Sequence, residues 1–127
     1  MSEIRATTIS DLVGTGPVTL TGQSAAKAWS NLNGTGTIAE RDSFNISGYV
    51  DNTTGDYTFT FSTSFDTADW ASGGYAGRGL NGATIDGTWF GDTAAIAAGS
   101  HRTKYAQSGS AAVDVSQAQH VWHGDLA

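Results

Sequence analysis

The sequence predicts an all-β fold: an antiparallel β-sandwich, jelly-roll-like, forming a single domain over residues 18–127, with an extended N-terminal arm over residues 1–17. Three observations carry that expectation. Gly, Ala, Ser and Thr supply 65 of the 127 residues, while Leu, Ile and Val supply only 17. Helices are filled most cheaply by Leu, Glu and Lys, whereas Thr, aromatics and glycine-bearing turns favour short strands. The third observation is strict alternation from Tyr57 to Phe65, with Tyr57, Phe59, Phe61, Thr63 and Phe65 on one face and Thr58, Thr60, Ser62 and Ser64 on the other. A period of two over nine residues is the mark of a strand with one buried face.

Read in order, the arm places Ile4, Ile9, Leu12 and Val13 ahead of a Gly14-Thr15-Gly16-Pro17 joint, and these four are its candidate anchoring residues. Val18–Thr21 reads as a short strand. Ala25–Leu32 alternates Ala26, Ala28, Ser30 and Leu32 against Lys27, Trp29 and Asn31, and the Asn33–Gly36 turn closes it. Ser43–Asp51 reads as the partner of Tyr57–Phe65, with Phe44, Ile46, Gly48 and Val50 on one face and Asn45, Ser47 and Tyr49 on the other. Asp66–Trp70 reads as a loop or one helical turn, and Thr93–Ala98 as a loop. Further strands are expected near 74–79, 84–90, 103–108 and 117–123. Seven or eight short strands at this spacing make a sandwich.

Charge and composition exclude several classes. A net charge of −6 argues against a nucleic-acid footprint, which needs clustered Lys and Arg. With no Cys there is no disulfide framework and no thiolate chemistry. No apolar run reaches the roughly 18 residues of a membrane span, and Met1–Val13 lacks the apolar core of a signal peptide.

Candidate chemistry is sparse. Gly77-Arg78-Gly79-Leu80-Asn81-Gly82 matches the dinucleotide fingerprint, but Ala83–Phe90 reads as strand, so no helix N-terminus is expected to receive phosphates. His120 and His123, with Asp125 nearby, suggest a metal, yet residues three apart on a strand point to opposite faces. The expectation is no metal and no cofactor, with Ala118, His120 and Trp122 packed and Gln119, Val121 and His123 opposite. The aspartates sit at turn positions, and no nucleophile–base set is recognisable, so an enzyme is not expected. Three Asn-x-Ser/Thr triplets, beginning at Asn33, Asn45 and Asn52, carry no weight without a secretory signal. Of the large aromatics, core or subunit-interface burial is expected for most. Trp70, Tyr75 and Arg78 are the candidate ligand- or receptor-binding residues.

Gly16–Trp29, Asn33–Ser47, Asp51–Phe61 and Gly124–Ala127 resemble segments of small virion structural proteins of tailed, marine-type bacteriophages, specifically tail-fibre-like β modules. The likeness covers about 60 of the 127 residues, mainly Gly14–Phe61; Asp66–Ser116 departs from it. The resemblance implies a non-enzymatic protein on the virion exterior, a fibre-like or host-receptor-binding module. Its implied partners are its own copies in a homotrimer, other tail or capsid proteins, and a host surface glycan. Loops near 66–82 and 91–102 would then face the host. Two alternatives stay open: a head decoration (cement) protein, favoured by the brevity of the chain, and a stand-alone carbohydrate-binding module.

Overall fold

A computed structural model of the chain describes residues 23–77, 88–89, 96–105 and 112–127. The arm with Ile4, Ile9, Leu12 and Val13, the expected strand at Val18–Thr21 and the loop bearing Arg78 lie outside the described residues, as does most of the stretch expected as strand at 84–90.

The all-β expectation holds. The described residues form nine strands: β1 (Ala28–Asn33), β2 (Ala39–Phe44), β3 (Ile46–Thr53), β4 (Asp56–Phe61), β5 (Ala71–Gly77), β6 (Thr88–Trp89), β7 (Ile96–Ala97), β8 (Ser100–Tyr105) and β9 (Gln117–His123). Their pairings are antiparallel, and two sheets result. Sheet I runs β2-β1-β9-β5; sheet II runs β3-β4-β8-β6, with β7 also paired to β8. Among the described residues there is no helix, hence none long and apolar enough to cross a membrane.

Alternation dictates which side chains meet between the sheets. Sheet I contributes Ala28 and Leu32 of β1, Ala76 of β5, and Ala118 and Trp122 of β9; sheet II contributes Tyr57, Phe59 and Phe61 of β4 and Tyr105 of β8. With so few aliphatics, rings fill the core. Phe59 has the rings of Tyr49, His120 and Trp122 within 5.5 Å of its own centroid. Phe61 meets Trp122 edge-on at 5.3 Å and Phe65 at 4.9 Å. A hydroxyl pair, Ser30 Oγ to Tyr49 Oη at 3.0 Å, ties the two sheets together, and burial pushes the Tyr49 phenol up to about 12.

The expected strand Ser43–Asp51 is two strands in different sheets. Asn45 has φ of 60°, a left-handed conformation that Asn tolerates better than most residues. The corner is pinned by its side chain: Nδ2 donates to Lys27 O at 3.1 Å and to Thr63 O at 3.0 Å, while Oδ1 accepts from Thr63 N at 2.7 Å. Beyond it Ile46 pairs with Phe61 but Gly48 with Thr60, so Ser47 is an extra residue and the faces exchange. Tyr49, opposite Phe59, packs toward the core, and Val50, on the face expected to be buried with Ile46, is 50% exposed. The strand at Tyr57 stops at Phe61, and Phe65 re-enters the core through a bridge to Leu126.

Gly55, at φ 66°, makes the β3–β4 turn. A Cβ there would lie 2.5 Å from Val113 O, so glycine is required both by conformation and by space.

Candidate functional site

Two regions hold the side chains with chemical potential. The first is buried. Facing strands β8 and β9 bring His101, His120, Tyr105 and Trp122 together between the sheets, all at most 4% exposed. Indole nitrogen can only donate, so the 3.0 Å contact from Trp122 Nε1 fixes His101 Nδ1 as an acceptor and places any proton of the neutral ring on Nε2. His120 Nε2 bonds the Tyr105 hydroxyl, and its ring stacks on Trp122 at 5.4 Å. Burial lowers His101 to about 4; burial, with His101 nearby, lowers His120 to about 3. These are neutral imidazoles sealed from solvent, built to complete a core. His123, three residues on, points to the other face of sheet I and does not join them. Among the described residues, no group of three or more His, Cys, Asp or Glu side chains is arranged to hold a metal ion.

A bidentate ion pair also sits on β4 and β8. Arg102 Nε and Nη2 reach Asp56 Oδ1 and Oδ2 at 2.7 and 2.6 Å, and this pairing holds the Asp56 carboxyl below its usual range. It ties the start of β4 to β8 within sheet II.

The second region is the outer face of sheet I. Register places Phe44, Trp29, Val121 and Gly73 side by side across β2, β1, β9 and β5. The next row on the same face is Asp42, Asn31, Gln119 and Tyr75. Phe44 is 53% exposed, Tyr75 40% and Trp29 37%, so three aromatic rings stand on one sheet surface in water. Tyr75 runs along its own strand: its hydroxyl would lie 3.1 Å from a Cβ on Gly77, which lacks one. On its other side, a Cβ on Gly73 would meet nothing closer than Val121 at 3.8 Å. The result is an open groove of about 300 Å³ lined by Gly73, Gly74, Tyr75, Gln119, His120 and Val121. Gly74 is inward-facing, and a Cβ there would meet the His120 ring at 2.6 Å. Glycine therefore lets β5 close over the imidazole while the groove stays shallow.

The two described candidate binding residues do not come together. Tyr75 stands on the outer face of sheet I in β5, whereas Trp70, just ahead of that strand, turns its ring toward His101. Trp70 is half-buried: its ring packs edge-on against His101 at 4.8 Å, and its Nε1 donates to Ala97 O at 3.2 Å. Its outer edge borders a recess of about 160 Å³ with Phe65, Asp66, Thr67, Asp69, Gly124 and Asp125. Tyr75 stands in mid-strand, and the segments expected as host-facing loops contain β5, β7 and the start of β8. Trp29 and Phe44, absent from the sequence candidates, complete the surface group. Alternation in β1 sets Trp29 opposite Ala28 and Ser30; the general tendency of indoles to be buried obscures that signal.

Fold and surface together define a β-sandwich with an aromatic core and an exposed aromatic sheet face. No protein family, curated protein sequence or solved structure matches the chain.

Proposed function

We propose that this protein is a non-enzymatic structural module of the exterior of a tailed bacteriophage virion, a small fibre-like or receptor-binding protein acting as a homotrimer. The observation that carries the recognition role is the outer face of sheet I, where Trp29, Phe44 and Tyr75 are presented to solvent by a rigid sheet. Exposed aromatics grouped on one surface of a stable scaffold are characteristic of recognition faces. The virion setting rests on the resemblance carried by Gly14–Phe61. The buried histidines support a non-catalytic reading, because a general base must reach the proton it takes, and both rings are enclosed.

Immunogold labelling of purified particles tests this reading. Label at the tail end is expected. Label spread over the head would make the protein a decoration protein, and no label on any particle would overturn the virion reading. Deleting residues 2–16 should abolish incorporation while the sandwich still folds; normal incorporation of the truncated chain would remove the anchoring role of Ile4, Ile9, Leu12 and Val13. A stand-alone carbohydrate-binding module is the second reading, favoured by the same aromatic face.

A further inference from the structure

We infer that the outer face of sheet I binds a neutral glycan, which stacks on Trp29 and Tyr75 and settles into the groove over Gly73. The inference rests on the recognition role proposed for this face and is independent of the virion setting.

Size decides against a protein partner first. Strands about 4.8 Å apart and rows about 7 Å apart make the aromatic patch roughly 15 Å by 7 Å, on the order of 100–200 Å². A stable protein–protein interface buries about 800 Å² per partner, several times more. The patch is the size of a few sugar rings rather than of a second subunit.

Charge and polarity then select the ligand. Across the two rows the one carboxylate is Asp42, and the Arg41 guanidinium reaching Asn31 beside it balances that charge locally. The face itself thus has no net charge to select an anion, and the overall field of a chain carrying −6 disfavours one. The polar groups between the rings are amides. Arg41 Nη1 engages Asn31 Oδ1 at 3.5 Å, leaving the amide NH₂ end to donate to a ligand; Gln119 stands next to it on β9. A pyranose ring has the matching chemistry, with a C–H face that lies on an aromatic ring and equatorial hydroxyls that exchange hydrogen bonds with amides. Beside Tyr75, glycine at 73 removes the side chain that would otherwise occupy the groove.

The test uses the purified full-length chain in a neutral oligosaccharide panel of cello-, chito-, xylo- and malto-hexaose and laminarihexaose, with dextran sulfate as the anionic control, read by calorimetry and tryptophan fluorescence. Saturable binding of at least one neutral hexasaccharide is expected. Trp29→Ala and Tyr75→Ala should each weaken it about tenfold or more, with an unchanged melting temperature. Gly73→Val, which fills the groove without touching the core, should do the same. No binding across the neutral panel, binding of dextran sulfate alone, or affinity unaffected by all three substitutions would overturn the inference. So would conversion of an oligomer to a monomer by Trp29→Ala in gel filtration, because the face would then be covered by a second copy. Particle labelling is unaffected by any of these results, so failure here is distinguishable from failure of the virion reading.

Discussion

Lowering the pH from 7 to 4 should cost the folded state about 3 kcal/mol for each of the two buried imidazoles. In the unfolded chain both histidines titrate near 6.5, whereas burial lowers His101 to about 4 and His120 to about 3. Below about pH 6.5 the unfolded chain therefore binds protons that the folded state refuses, and stability falls as the pH drops toward 4. At roughly 1.4 kcal/mol per unit of difference, the two rings together withdraw about 6 kcal/mol by pH 4. A domain of this size has on the order of 5–15 kcal/mol in total. Asp56 adds only about a few tenths of a kcal/mol in this window, because its unfolded carboxyl, with an ordinary value of 3.8, is still mostly ionised at pH 4. The larger part of its loss, set by the Arg102 pairing that lowers the folded value, comes at lower pH. The assay is urea unfolding at pH 7, 5.5 and 4, followed by tryptophan fluorescence. The midpoint should fall progressively, and a His101→Gln, His120→Gln double variant should flatten the profile even if it starts less stable. A change below about 1 kcal/mol between pH 7 and 4 in the parent chain would show that the imidazoles are not sealed from solvent.

The same packing fixes three further outcomes. Phe59→Ala removes a ring that is 0% exposed and touched by three others, and urea unfolding should show a loss of about 4 kcal/mol; less than about 0.5 would mean that the core face of β4 is misassigned. Gly74→Ala drives a Cβ into the His120 ring and should cost about 1–3 kcal/mol, whereas Gly73→Ala, on the open face, should cost under about 1, both read as shifts of the urea midpoint. Asn45→Ala removes three hydrogen bonds and strains a left-handed corner, so a loss of about 2–3 kcal/mol is expected; Asn45→Gly should recover part of it by relieving the backbone alone.

Legibility in the sequence depends on whether a strand is half-buried and regular. In β4, Tyr57, Phe59 and Phe61 alternate with threonines because β4 lies inside sheet II with one face on the core, and period two is then sufficient. In β9 the same logic separates His120 from His123. The edge strand β2, with Glu40, Arg41 and Asp42 in its centre, buries almost nothing, so no apolar period marks it. The β2–β3 boundary is hidden because a left-handed Asn45 looks like any polar strand residue, and the extra residue Ser47 reverses inside and outside without leaving a compositional trace. At the candidate site the difficulty is where β5 begins. Glycine-rich surroundings group Trp70 with Tyr75, although Trp70 lies just ahead of the strand and turns its ring toward His101, while Tyr75 stands on the outer face. Trp29, Phe44 and Tyr75 converge only through the register of β2, β1, β9 and β5, a set of long-range pairings that no local pattern encodes. The bond from Trp122 to His101 is hidden for the same reason, since it joins the two sheets.

On the virion reading proposed above, hydroxyl-radical footprinting of purified phage particles carrying the protein, alone and mixed with envelope from their host cells, tests most directly whether the outer face of sheet I is the recognition surface. Trp29, Phe44 and Tyr75 should oxidise readily on the particle and become protected when envelope is added, while Trp122, at 0% exposure, stays unmodified throughout. Protection of those three side chains on the particle alone, or oxidation unchanged by envelope, would contradict a recognition role for this face.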